Sequence, residues 1–210
     1  MPLITFGHGT ASAERIAELL RSASVTRLVD VRSAPGSRRN PHVARAELER
    51  WLPGTGISYR WEKRLGGFRR PAPDSPDVAW QEAAFRGYAG HMRQADFLAA
   101  IDELLAPAGT GQQPAGTGQQ PASPGQQPAS PGQQPAGTGQ QAVMCSESLW
   151  WRCHRRLIAD FAEIARGVPV RHLMHNGRLE PHRRSPGVRL RADGLLVYDG
   201  GQQRLGAAST

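Results

Sequence analysis

The sequence predicts an α/β fold built on a mostly parallel sheet. Two observations carry that expectation. Leu3–Phe6, a helix, and Arg27–Val31 make strand, helix, strand within about 30 residues, the length of one crossover unit with parallel strands. A second strand–helix–strand series follows near the end of the chain: Ala142–Cys145, a helix over roughly 153–166, and Val168–Leu173.

The elements follow in order. Ser12 is placed to cap the first helix, with Glu14 in its first turn and Ile16, Leu19, Leu20 and Ala23 at helical spacing. A loop with Pro35, Gly36 and Pro41 leads to a short helix carrying Ala44, Leu48, Trp51 and Leu52, stopped at Pro53-Gly54. Ile57, Tyr59 and Trp61 alternate as a small strand does. From Leu65 to about Val78 the chain reads as an irregular loop of the length used for lids and binding loops. Helices are expected near Trp80–Met92 and over Ala95–Leu105, the latter with Phe97, Leu98, Ile101, Leu104 and Leu105 on one face. In the second half, Leu157, Ile158, Phe161, Ile164 and Ala165 form the inward stripe of the 153–166 helix, and Gly167 suits its C-cap. Asp193-Gly194 between Val188–Arg191 and Leu195–Tyr198 reads as a hairpin turn.

Residues 108–141 break the pattern. They repeat AGTGQQP and ASPGQQP with a period of seven, uncharged and rich in Pro and Gly, and read as a disordered insertion. The expected organisation is one domain in two parts, 1–107 and 142–200, around that insertion, with a flexible tail over 201–210.

The net charge is +8, from 25 arginines and one lysine, Lys63, against 18 acidic residues. The excess is spread between the two halves, so no basic arm marks a nucleic-acid binder. Two cysteines make no disulfide framework, the N-terminus lacks the pattern of a signal peptide, and no apolar stretch reaches the length of a membrane span. A cytoplasmic protein without membrane attachment is expected.

In an open parallel sheet, ligands bind beyond the carboxyl ends of the strands. The groups delivered there are unusually reactive. Gly7-His8-Gly9 ends the first strand, its glycines implying close backbone approach. Asp30 and Arg32 end the second, on one face and so able to pair, with Arg38 following. Gly66 and Gly67 open the long loop. Cys145 and Glu147 end the next strand, and Cys153, His154 and Arg155 open a helix. His172, His175 and His182 come later. Glu147, just past an apolar strand, is either a general base or an ion-pair partner of Arg32 or Arg155. Cys145 and Cys153 are read first as small buried residues and second as nucleophiles. Cys145 to Arg152 is one residue too long for the phosphatase spacing, and no nucleotide-binding glycine motif is present. Zinc through Cys145, Cys153, His154 and His182 fits no standard structural spacing, and the sequence implies no cofactor.

Several blocks together resemble the family of domain of unknown function 488. They are Thr5-Phe-Gly7-His8-Gly9, Leu28-Val-Asp30-Val-Arg32-Ser-Ala-Pro35-Gly-Ser37-Arg38, Gly56-Ile57-Ser-Tyr59, Leu65-Gly66-Gly67, Cys145-Ser-Glu147 to Cys153-His154-Arg155, and His172, Gly177 and Pro181-His182. The resemblance spans residues 3–106 and 142–200. It implies a Rossmann-like three-layer sandwich with a shared polar cleft, and no reaction. The chain departs from the family at Gly9, where a serine is usual, and at the insertion.

The functional expectation is an anionic ligand, a phosphate-bearing small molecule or nucleic acid, held at the strand ends. Arg32, Arg38 and Arg155 would bind it, with Asp30, Gly66, Gly67 and His182 alongside. Glu147 would be the acid/base, His8 or His154 would assist, and Cys145 or Cys153 would be a reserve nucleophile. A non-catalytic nucleic-acid module and a metal-binding protein are the rival readings. Substrate, oligomeric state and whether the chain is an enzyme stay open at this point.

Overall fold

The computed structural model describes residues 1–106 and 139–201. Six strands form one sheet in the order β3-β2-β4-β1-β5-β6. They are β1 (Leu3–Gly7), β2 (Val25–Asp30), β3 (Ser58–Trp61), β4 (Gln140–Cys145), β5 (Val170–Leu173) and β6 (Leu179–Pro181). All neighbours run parallel except β5 and β6. Strands β7 (Val188–Leu190) and β8 (Leu196–Tyr198) form a separate hairpin around the expected Asp193-Gly194 turn.

Side chains alternate across the sheet and divide the core in two. On one face Ile4, Phe6, Leu28, Ala142 and Met144 meet Ile16, Leu19 and Leu20 of α1 (Ala13–Ser22) and Leu48 of α2 (Arg45–Trp51). On the other, Leu3, Val29, Val143 and Val170 meet α3 (Ala83–His91), α4 (Ala95–Leu105) and α5 (Arg155–Asp160). Three layers result, as expected. Ser12 caps α1 through its side chain, which accepts from the Arg15 N–H.

Three details differ from the sequence reading. β4 starts at Gln140, two residues inside the repeat, because the Gln140 N–H donates to Ser24 O and extends pairing with β2. Pro107, the repeat over 108–138 and the tail over 202–210 lie outside the described residues. The last long helix is α-helical only to Asp160 and continues as a π-helix over Phe161–Ala165. β6 lacked any signal: it is three residues long, with a proline at its end.

The chain leaves β1 in one direction, through α1 to β2, and leaves β4 in the opposite direction, through α5 to β5. Helices α1 and α5 lie on opposite faces. The carboxyl ends of the adjacent strands β1 and β4, where Gly7 pairs with Cys145, are therefore a topological switch point of the kind at which a crevice opens.

Candidate functional site

That crevice is a cleft of about 1010 Å³. His8, Gly9, Arg32, Arg38, Gly67, Cys145, Glu147, Cys153 and His154, all singled out by sequence, line it. Asp30, Gly66, Arg155 and His182 do not. Asp30, Arg155 and His182 have other partners.

Asp30 and Arg32 pair with each other at the end of β2. The Asp30 carboxylate accepts from Arg32 Nε and Nη2, at 2.9 and 2.5 Å, and from Tyr59 Oη at 2.8 Å. Arg32 Nη2 also donates to Val43 O. Burial, then Asp30, raises the Tyr59 hydroxyl pKa, so it stays a donor. Arg32 thus turns mainly Nη1 toward the cleft, 3.4 Å from His8 Nε2. His8 Nδ1 donates to Gly9 O, which leaves the Nε2 lone pair facing that guanidinium. Burial and then Arg32 hold the His8 pKa at about 4, so the ring is neutral near pH 7.

The glycines around His8 do make room, but for the protein's own chain. A Cβ on Gly7 would lie 1.9 Å from Glu147 O, and one on Gly9, at φ +53°, would meet Ser148 Oγ at 2.1 Å. The loop after β4 lies directly across the end of β1. Arg155 secures it: the buried guanidinium donates through Nη2 to Glu147 O and through Nε to Cys153 Sγ, at 3.5 Å for the latter. It positions that loop and does not line the cleft, where an anion ligand was expected. Glu147 pairs with neither Arg32 nor Arg155. It is half-buried in the cleft wall, with Oε1 accepting from the Leu149 N–H at 3.1 Å.

At the base of the cleft Cys145, Cys153 and His154 converge. Their ligating atoms all lie within 4.8 Å of one another. His154 Nδ1 is 3.6 Å from Cys153 Sγ and 3.9 Å from Cys145 Sγ. The two thiols perturb each other: Cys145, then His154 and Arg155, push the Cys153 pKa down, while Cys153 and burial push that of Cys145 up.

His182 belongs elsewhere. It forms a buried chain in which Thr5 Oγ1 meets His172 Nδ1 at 2.6 Å, His172 Nε2 meets His182 Nδ1 at 3.0 Å, and His182 Nε2 meets Asp160 Oδ1 at 2.9 Å. Asp160 also accepts from the Ser185 N–H and Tyr198 Oη. Trp150 stacks flat on His172, with ring centroids 4.0 Å apart. Burial, and then His182, lowers the His172 pKa to about 2.

Arg39, beside Arg38 in the same loop, also lines the cleft. Sequence reasoning missed other parts of the wall: Arg152 and Arg156 line it, as do Phe68 and Trp151, two exposed aromatic side chains. Phe68 is 93% exposed and adopts φ +59°, so the backbone presents the ring to solvent. Exposed aromatic side chains beside arginines were the available signal: Gly67-Phe68-Arg69 and Trp151-Arg152. Among the described residues no helix is long and apolar enough to cross a membrane.

Comparison with known proteins gives one match. Residues 12–113 match the family model described as Domain of unknown function DUF488, the family that the motifs resemble. Asp30, Arg32, Arg38 and Gly67 fall inside the matched span; His8 and the Cys145–Arg155 segment fall outside it. No curated protein and no solved structure matches the chain.

Proposed function

Taking the DUF488 match as the premise, we propose that the cleft binds an anionic ligand carrying phosphate and an aromatic base, and that the domain acts on it as an enzyme. One observation carries this reading. Arg38, Arg39, Arg152 and Arg156 share the cleft wall, and among the described residues none forms an ion pair. Ten other arginines do pair with a carboxylate. Arg156 lies over the Trp80 ring, 4.9 Å from its centroid, with Nε buried and unpartnered. Unpaired guanidinium groups around a concavity suit phosphate oxygens, which accept paired N–H donors. Phe68 and Trp151 supply flat surfaces for a base.

Glu147 is the acid/base of this reading, since it lines the cleft without a cationic partner and its carboxylate is oriented by Leu149. His8 keeps Arg32 in place and is secondary. The test is calorimetric titration of the full chain with pyrophosphate, mononucleotides and single-stranded oligonucleotides. Arg38→Ala and Arg152→Ala together should weaken a probe that binds the wild type by roughly 100-fold or more, about 1.5 kcal/mol for each charged hydrogen bond. Wild-type affinity in the double variant, or no binding by any probe at low salt, would sink the proposal. Oligonucleotides bound with a steep salt slope and mononucleotides not at all would select the nucleic-acid module instead.

A further inference from the structure

We propose that Cys145, Cys153 and His154 form a zinc site, with the two sulfurs and His154 Nδ1 as ligands and a fourth position open to the cleft. The proposal is independent of the anionic ligand.

Geometry is the first argument. Zinc–sulfur bonds of about 2.3 Å and zinc–nitrogen bonds of about 2.0 Å at tetrahedral angles put nitrogen and sulfur about 3.5 Å apart. The two N···S separations here are 3.6 and 3.9 Å. The three ligating atoms all lie within 4.8 Å of one another, so the two sulfurs would close by at most about 1 Å to reach the roughly 3.8 Å that a tetrahedral ion sets.

The second argument is the state of the imidazole. His154 Nε2 lies 3.0 Å from Val31 O, a carbonyl that only accepts. Nε2 therefore carries the proton, and Nδ1 turns its lone pair toward both thiols. Donation of the remote ring N–H to a backbone carbonyl is the outer-shell arrangement that orients metal-binding histidines. The ring is held on its faces as well. Tyr88 packs beside it with centroids 5.0 Å apart, and a Cβ on Gly67 would press on Nδ1 at 2.9 Å. The glycine leaves the imidazole room to keep this orientation.

The third argument is charge and access. Two thiolates neutralise the ion, and Arg155 Nε, 3.5 Å from Cys153 Sγ, donates to one of them. Both cysteines are buried, yet all three ligands line the cleft, so protein closes three sides and the fourth faces the opening. Two cysteines and one histidine with an open position make a donor set known from catalytic zinc. His182, eligible by sequence, is excluded because both ring nitrogens are committed to His172 and Asp160. Spacing concealed the site: two cysteines with seven residues between them, followed directly by histidine, match no finger or ribbon pattern.

The test uses the full chain, reduced with a phosphine and freed of metal by a chelator. Cobalt(II) should produce a thiolate-to-metal charge-transfer band and tetrahedral visible bands that saturate at one equivalent, and zinc should abolish both. Zinc should slow alkylation of the two cysteines at least tenfold, and His154→Gln should weaken zinc at least tenfold in competition with a chromophoric chelator. The wild-type measurements do not depend on any variant folding. Absence of the charge-transfer band with both thiols reduced, or alkylation unchanged by zinc, overturns the site.

Discussion

Two polar clusters occupy the same face of the sheet, and they differ in one respect. In the chain of Thr5, His172, His182 and Asp160, both nitrogens of each ring have partners and the hydrogen bonds run in one direction. Asp160 accepts from His182, which accepts from His172, which accepts from the Thr5 hydroxyl. In the cluster of Cys145, Cys153 and His154, one ring nitrogen is fixed by Val31 O while the other faces two sulfurs at the base of a cleft. The histidines of the closed network are buried, whereas His154 is half-buried and faces the cleft. A closed network fixes side chains against one another; an open one retains unused bonding capacity. Residue type alone does not separate the two arrangements; the partners of each ring nitrogen do.

Three measurements would break or sharpen that contrast. The largest effect is expected for Asp160→Ala, which strips three donors of their acceptor and leaves His182 Nε2, Tyr198 Oη and the Ser185 N–H buried. A loss of about 3–5 kcal/mol in urea unfolding is expected. Cys145→Ser should cost about 1 kcal/mol in the same assay. Equal losses would erase the distinction between the clusters.

Acid stability comes next. His172 and His8 have native pKa values near 2 and 4, below the ordinary 6.5. As pH falls below 6.5, the unfolded chain takes up protons that the native state refuses. Stability is therefore full above about pH 6.5 and lost on acidification, at about 1.4 kcal/mol per pH unit for each histidine. The His8 contribution ends near pH 4, while that of His172 continues toward pH 2. Unfolding midpoints measured from pH 7 to 4.5 should show this slope, and His172→Gln should roughly halve it. A flat profile would mean that the chain is not held neutral.

The smallest stability effect is expected for Glu147→Gln, within about 0.5 kcal/mol of wild type, because no cation depends on that carboxylate and an amide oxygen can still accept from Leu149. A loss above 2 kcal/mol would place Glu147 among the structural groups, with Asp30 and Asp160.

The sequence was most legible where periodicity or a fixed turn governs. The five parallel strands, the Ser12 cap and the Asp193-Gly194 hairpin are local signals, and the three-layer fold follows from them. The alternation that placed Asp30 and Arg32 on one face also found a real ion pair. Nine of the residues singled out by sequence line one cleft, but the division of labour among them was not legible. Arg155 looks like an anion ligand at a helix start; its actual partner, the Glu147 carbonyl, depends on how the loop crosses β1. Asp160 reads as a polar residue inside a helix. Its donors come from residues 182, 185 and 198, and no periodicity relates those positions to it. Arg93 and Asp77 form another buried pair across a long loop, at 2.6 Å, that no local pattern discloses.

The place where β4 begins has a practical consequence. Gln141 Nε2 donates to Leu104 O, so the two chain segments flanking the repeat are tethered by one hydrogen bond, at the end of β4 opposite Cys145. Whatever joins them enters and leaves the domain at a single point on its far side. Replacing the connection by a short turn, or by a fluorescent or affinity module with adjacent termini, is expected to leave the described cleft residues in place, which ligand or cobalt titration of the replaced chain would check. A chain cut there and rejoined elsewhere should still assemble the same site.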